Sequence, residues 1–344
     1  MLTRVIDGSL RHRGFVLAAT AAIVVAGALA FRALPVDAFP DTTPTQVQVN
    51  AVAPALTPEE VERQLTIPVE QALGGLPRVA ELRSISKFGL SQVTARFEDG
   101  TDLWFARQQV AERIGRVEIP AGVERPTLGP VATGLGEVFH YLVKSKTRSL
   151  EEIRTLHDWV IAPQLRSVPG VAEINAWGGN EKQWHVVVDP ARLQKFELTL
   201  GDVYRALEAN NANVGGGVVE RGGGASLVLG VGVLDGERSI ADVVLAARRG
   251  VPIRVRDVAR VEVGHEIRRG ATTADGEGEA VLGLGFMLVG ENSHTVTAAL
   301  AKRLDDVKQR LPGDVSVEPV YERTELVDLV LRTVETNLLE GALL

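Results

Sequence analysis

Two carboxylates stand out as residues that could hold a cation. Glu137 opens a strand-like run directly after Gly134-Leu135-Gly136, and Glu173 lies in a second such run, residues 171–177. Divalent cations such as Zn²⁺ accept Asp and Glu oxygen and His nitrogen, often from segments far apart in sequence. If the two strands are neighbours, both carboxylates face one cleft. The plain alternative is that each is a solvated strand-end charge, since exposed carboxylates are common.

Other chemistries find no support. The chain has no cysteine, which excludes disulfides, thiolate metal sites and cysteine nucleophiles. His12, His140, His157, His185, His265 and His294 form no close-spaced pair, so each reads as a surface or packed residue. Neither H-E-x-x-H nor G-x-S-x-G occurs. The triplets Gly215-Gly216-Gly217 and Gly222-Gly223-Gly224 are not followed by Gly-Lys-Ser/Thr, so they read as a flexible hairpin and not a phosphate loop. A net charge of −7 argues against a nucleic-acid partner. No cofactor and no catalytic constellation is implied.

The elements that must position these residues begin with an apolar run. Residues 14–31 carry no charge and would span about 27 Å as a helix, close to the ~30 Å hydrocarbon core. Arg4, Arg11 and Arg13 precede the run and only Arg32 follows closely, which puts the N-terminus in the cytoplasm. By itself the run also fits a cleaved signal peptide, with Ala28-Leu29-Ala30 as the cleavage site. Residues 337–344 start another apolar stretch, so the chain reads as truncated. Pro35, Pro40 and Pro44 make residues 34–44 a stiff exit from the first run.

Between these ends one pattern occurs twice. A strand at 45–53 is followed by a helix starting at Thr57-Pro58-Glu59-Glu60, a capping box with proline in the first turn. Pro68 should kink that helix. Strands at 79–86 and 91–97, a helix at 102–117 and a strand at 123–128 complete a βαββαβ order, the split-βαβ or ferredoxin-like unit. The second copy begins with a strand at 137–144, a capping box at Ser149 and Glu152, and the strand 171–177. It resumes with a strand at 280–289, a helix capped by Asn292 or Ser293, and a strand at 315–321. An α/β insertion, residues 181–272, divides it.

Several motifs together resemble the heavy-metal efflux branch of the resistance–nodulation–cell division (RND) transporters. They are Leu34-Pro-Val-Asp-Ala-Phe-Pro-Asp41, Phe88-Gly-Leu-Ser-Gln-Val-Thr94, Asp99-Gly-Thr-Asp102, Thr133-Gly-Leu-Gly-Glu137, Pro163-Gln-Leu-Arg166, Val168-Pro-Gly-Val171 and Gly290-Glu-Asn-Ser293. The resemblance implies a membrane-anchored α+β protein. Residues 1–13 would be cytoplasmic and 14–32 a transmembrane helix. Residues 33–134 would form a first porter subdomain; 135–180 and 273–325 would be the halves of a second. Residues 181–272 would be a docking subdomain, and 326–344 a linker and the start of a second transmembrane helix.

The same resemblance places the helix 102–117, with Asp102, Gln108 and Glu112, along the central pore of a homotrimer. It makes the hairpin at about 210–234, with Gly215, Gly216, Gly217, Gly222, Gly223 and Gly224, an arm reaching into the next subunit. The implied function is proton-driven export of metal cations, with Zn, Co or Cd favoured over Cu or Ag. Metal ions and protons would be the substrates, and Glu137 and Glu173 would assist transit. The partners would be a periplasmic adaptor, an outer-membrane channel and the bacterial inner membrane. Two other readings stay open: a pump for organic drugs, and an anchored module that only docks or oligomerises.

Overall fold

The structure, a computed structural model, describes residues 10–33, 43–120, 123–221, 223–268 and 270–344. Helix α1 (Arg13–Ala33) forms over the apolar run. Among the described residues no helix is long and apolar enough to cross a membrane. Of the predicted stiff exit, residues 34–42 lie outside the described residues.

The first unit runs β1 (Gln46–Val52), α2 (Pro58–Val61), α3 (Ile67–Leu73), β2 (Val79–Lys87), β3 (Leu90–Phe97), α4 (Leu103–Ile114) and β4 (Thr127–Leu128). The sheet order is β2-β3-β1-β4. Thr57 and Glu60 form the expected capping box. Pro68 sits in the first turn of α3, just after a break in the regular helix. A π-helical turn, Glu62–Thr66, joins α2 to α3, and the Ile67 N–H bonds to the Glu62 carbonyl. Pro68 has no N–H for the carbonyl one turn back, and the wider turn upstream absorbs the mismatch. The predicted strand 123–128 shrinks to β4. Pro126 cannot donate to a ladder, and Ile119 and Val123 pack on Val61 and Leu65. Helix α4 stops short of Val117, which still packs on the core. Val47, Val49, Val93 and Phe97 meet Val69, Leu73, Ala106 and Val110 to form that core.

The second unit opens with β5 (Glu137–Ser145), α5 (Leu150–Leu156), α6 (Ala162–Arg166) and β6 (Val171–Trp177). Ser149 and Glu152 form its capping box. A π-helical turn, His157–Ile161, again precedes a proline, at the same offset (Glu62 to Pro68, His157 to Pro163). The insertion follows as β7 (Lys182–Val188), α7 (Pro190–Phe196), α8 (Leu200–Asn210), β8 (Val214–Arg221), β9 (Gly224–Gly230), α9 (Glu237–Ala241), β10 (Val244–Arg248), β11 (Val251–Arg254), α10 (Val255–Val258) and β12 (Ala259–His265). The unit then completes with β13 (Val281–Met287), α11 (Ser293–Lys308) and β14 (Val315–Glu322).

Its sheet order is β14-β5-β13-β6. The strands carrying Glu137 and Glu173 are therefore not neighbours, because β13 lies between them. Phe139, Tyr141, Val143, Ile174 and Val281 pack against Ile153, Leu165, Leu300 and Leu304. The insertion has its own core, around Val203, Ile240, Val255, Val258 and Val261. The first unit adds a second, smaller cluster around Ala51, Ala53, Val61 and Leu65. Residues 323–343 form one helix, α12 (Arg323–Leu343), over the expected linker and start of a second span.

Candidate functional site

The helices of the second unit cover one face of its sheet, where Gly285 abuts Leu300 and Phe139. The opposite face carries the candidate residues. Glu137 on β5 and Glu173 on β6 both pair with Phe286 on β13. Directly paired residues share a face, so the row reads Glu137, Phe286, Glu173. Two strand spacings separate the carboxylates' backbones by about 10 Å. One row away, Tyr321, His140, Leu284 and Asn175 are aligned across all four strands.

The carboxylates share the face but do not meet. Glu137 Oε1 lies 2.6 Å from His140 Nε2. This is a contact of distance and charge without hydrogen-bond direction, and it leaves that buried nitrogen with no directed partner. The His140 ring lies against Tyr321, with centroids 4.9 Å apart. Glu173 instead accepts a hydrogen bond from Asn175 Nδ2 at 3.0 Å. Among the described residues no group of three or more His, Cys, Asp or Glu side chains is placed to hold a metal ion. Glu137 and His140 can supply one oxygen and one nitrogen donor. That is fewer than the roughly four ligands a tetrahedral ion takes.

His140 and Tyr321 were missed in the sequence for a physical reason. Strict strand alternation puts residues 137 and 140 on opposite faces. A register shift against Gly285 and Phe286 makes Val138 a bulge, which restores both to one face. The only sequence signal is the Gly-Leu-Gly-Glu entry into the strand.

The other singled-out residues lie elsewhere. Asp102 caps α4, accepting from the Phe105 N–H at 2.7 Å. Gln108 and Glu112 are exposed, as is Trp104 one turn earlier. Glu112 pairs with Arg116 at 2.7 Å. Gly215, Gly216, Gly217, Gly223 and Gly224 lie in or beside the β8–β9 hairpin, and Gly222 lies outside the described residues. Every described residue of these two strands is exposed, including Val214, Val218, Leu227 and Leu229. Asn213 Oδ1 accepts from the Gly232 and Val233 N–H groups and clasps the hairpin at its base.

The AcrB/AcrD/AcrF family profile matches residues 5–344. The chain is 47% identical to "Protein HelA" of Legionella pneumophila, covering 100% of this chain and 33% of that protein. It is 43% identical to the "Cobalt-zinc-cadmium resistance protein CzcA" of Cupriavidus metallidurans, with coverage of 100% and 33%. A crystal structure described as a heavy metal efflux pump superimposes with a TM-score of 0.90 at 34% identity, covering 98% of this chain and 34% of that one. The chain thus spans about a third of the length of these relatives.

Proposed function

We infer the function from the premise that this chain belongs to the AcrB/AcrD/AcrF family. It is the N-terminal part of an RND pump that exports divalent metal cations across the Gram-negative envelope. Helix α1 is its membrane anchor, with the N-terminus in the cytoplasm, and the three α/β bodies lie in the periplasm. The first and second units act as porter subdomains and the insertion as the docking subdomain. Protons taken up by parts of the full-length protein outside this chain drive transport. The exposed hairpin and the outer face of α4 serve a homotrimer, which works with an adaptor and an outer-membrane channel.

The observation that carries the reading is the sheet face opposite the helices, with Glu137 and His140 in contact and Glu173 on the same row. Oxygen and nitrogen donors suit Zn, Co and Cd, whereas Cu(I) and Ag(I) prefer sulfur. Met287 is buried in the core of the unit and offers no sulfur to that face. The relatives' names, cobalt-zinc-cadmium resistance among them, support the same cargo. Zn²⁺ titration of the purified chain tests the reading. Glu137→Ala and His140→Ala weaken binding most, and Glu173→Ala weakens it less. Unchanged affinity and stoichiometry in all three would remove this face from the transport path.

A further inference from the structure

The second unit holds a buried polar chain that the candidate cation face does not use. His157 lies on the π-helical turn and is buried. Its Nδ1 is 2.7 Å from Asp158 Oδ1, and its Nε2 is 2.9 Å from the Tyr141 hydroxyl. A carboxylate only accepts, so Nδ1 carries a proton and donates to Asp158, while Nε2 and the Tyr141 hydroxyl share the second hydrogen bond. Arg154 Nε donates to the other Asp158 oxygen at 2.7 Å, and Arg154 Nη1 donates to the Gly178 carbonyl at 3.0 Å. Burial pulls the Asp158 carboxyl up, but bonds from His157 and Arg154 outweigh it and hold the group below the ordinary range. Burial, with the Asp158 charge nearby, pushes the Tyr141 phenol well up. A Cβ on Gly283 would fall inside the Tyr141 ring, so that glycine clears the ring's place across β13.

The far end of this chain lies at the junction with the insertion. Residues 178–181 leave β6 for the insertion, and residues 266–268 and 270–272 are described on the way back. Gly178 and Gly179 have φ of +74° and +69°, and a Cβ on Gly178 would lie 2.5 Å from the Ala280 carbonyl oxygen. A cleft of about 410 Å³, lined by Arg154, Trp177, Gly178, Ile267 and Thr272, lies where the outgoing and returning segments meet. A second tie, from Asn180 Nδ2 to Glu151 Oε1 at 2.9 Å, holds the outgoing segment to α5.

Among the described residues the first unit, which has no insertion, shows no such chain. Its π-helical turn sends Thr66 to the Ser86 and Ser91 hydroxyls at 2.8 and 2.7 Å, an uncharged contact that ends in its own sheet. We propose that Tyr141, His157, Asp158 and Arg154 form a latch that fixes the angle of the insertion on the second unit and ties it to β5, the strand that carries Glu137. The latch stands on the fold and does not depend on which cation, or whether any, is carried.

Spin labels test it. The chain has no cysteine, so Asp306→Cys on α11 and Glu208→Cys on α8 take labels selectively in the full chain in detergent. The distance distribution between them is narrow without further change. Arg154→Gln broadens it about twofold, as expected when a tie at that junction is cut, and Tyr141→Phe broadens it less. The thermal midpoint reports separately that each variant is folded. If Arg154→Gln does not fold, Tyr141→Phe alone decides, broadening supporting the latch and an unchanged width opposing it. An unchanged width in Arg154→Gln overturns the proposal. So does equal broadening by Thr66→Val, which disturbs only the first unit.

Discussion

The two α/β units start from the same local instructions and diverge at their edges. Each opens a helix with a capping box, Thr57 with Glu60 and Ser149 with Glu152. Each then widens into a π-helical turn before a proline. What differs is the polar group that the turn aims at the sheet. In the first unit it is a hydroxyl among hydroxyls. In the second it is an imidazole joined to an acid and a guanidinium that reach the junction with the insertion. The comparison teaches that a spliced-in subdomain need not alter a fold's framework. It alters which internal contacts must bear load.

The largest expected effects come from the cores and test whether the units are independent. Leu73 and Leu300 are fully buried in different cores. Leu73→Ala and Leu300→Ala should each cost about 3 kcal/mol. Hydrogen exchange should accelerate in the mutated unit and leave the other protected. Acceleration in both would show that the cores unfold as one. A smaller effect tests the shared start signal. Thr57→Ala and Ser149→Ala should each cost about 1 kcal/mol, measured by urea denaturation. A clear inequality between them would mean that the two boxes do different work.

The smallest effect is electrostatic and belongs to the second unit. Hydrogen bonds from Arg148 and Thr147 hold the exposed Asp314 carboxyl down to about 2, from 3.8. A depressed folded-state value stabilises above the unfolded value and is lost as pH falls through the folded one. Asp314→Asn should therefore lower the melting temperature slightly near neutral pH. The difference from wild type should vanish as the pH approaches about 2. A difference that persisted in acid would assign the effect to lost packing and not to charge.

What could be read in the sequence was local. Both capping boxes and the strands at 171–177 and 315–321 follow from neighbours within a few residues. The insertion showed itself because the pattern broke off and later resumed. The π-helical turns were less legible: Pro68 marked a disturbance, but its relief lies upstream, where the residue types give no sign of it. The candidate face was half legible. Glu137 and Glu173 could be named, but which strand lies between them is decided by tertiary pairing. The bulge at Val138 that brings His140 to Glu137 depends on β13, more than a hundred residues away.

The position of β13 also bears on how the chain comes to be folded. It is the strand between β5 and β6, yet it emerges only after the whole insertion has passed. As the polypeptide is delivered from its N-terminus, β5 and β6 must wait with open edges, which invite wrong pairing. The insertion, complete with its own core, can close first and bring the start of β13 back beside the end of β6. This lowers the entropic cost of their late assembly. A segment that interrupts the fold on paper would then serve as its internal scaffold during synthesis.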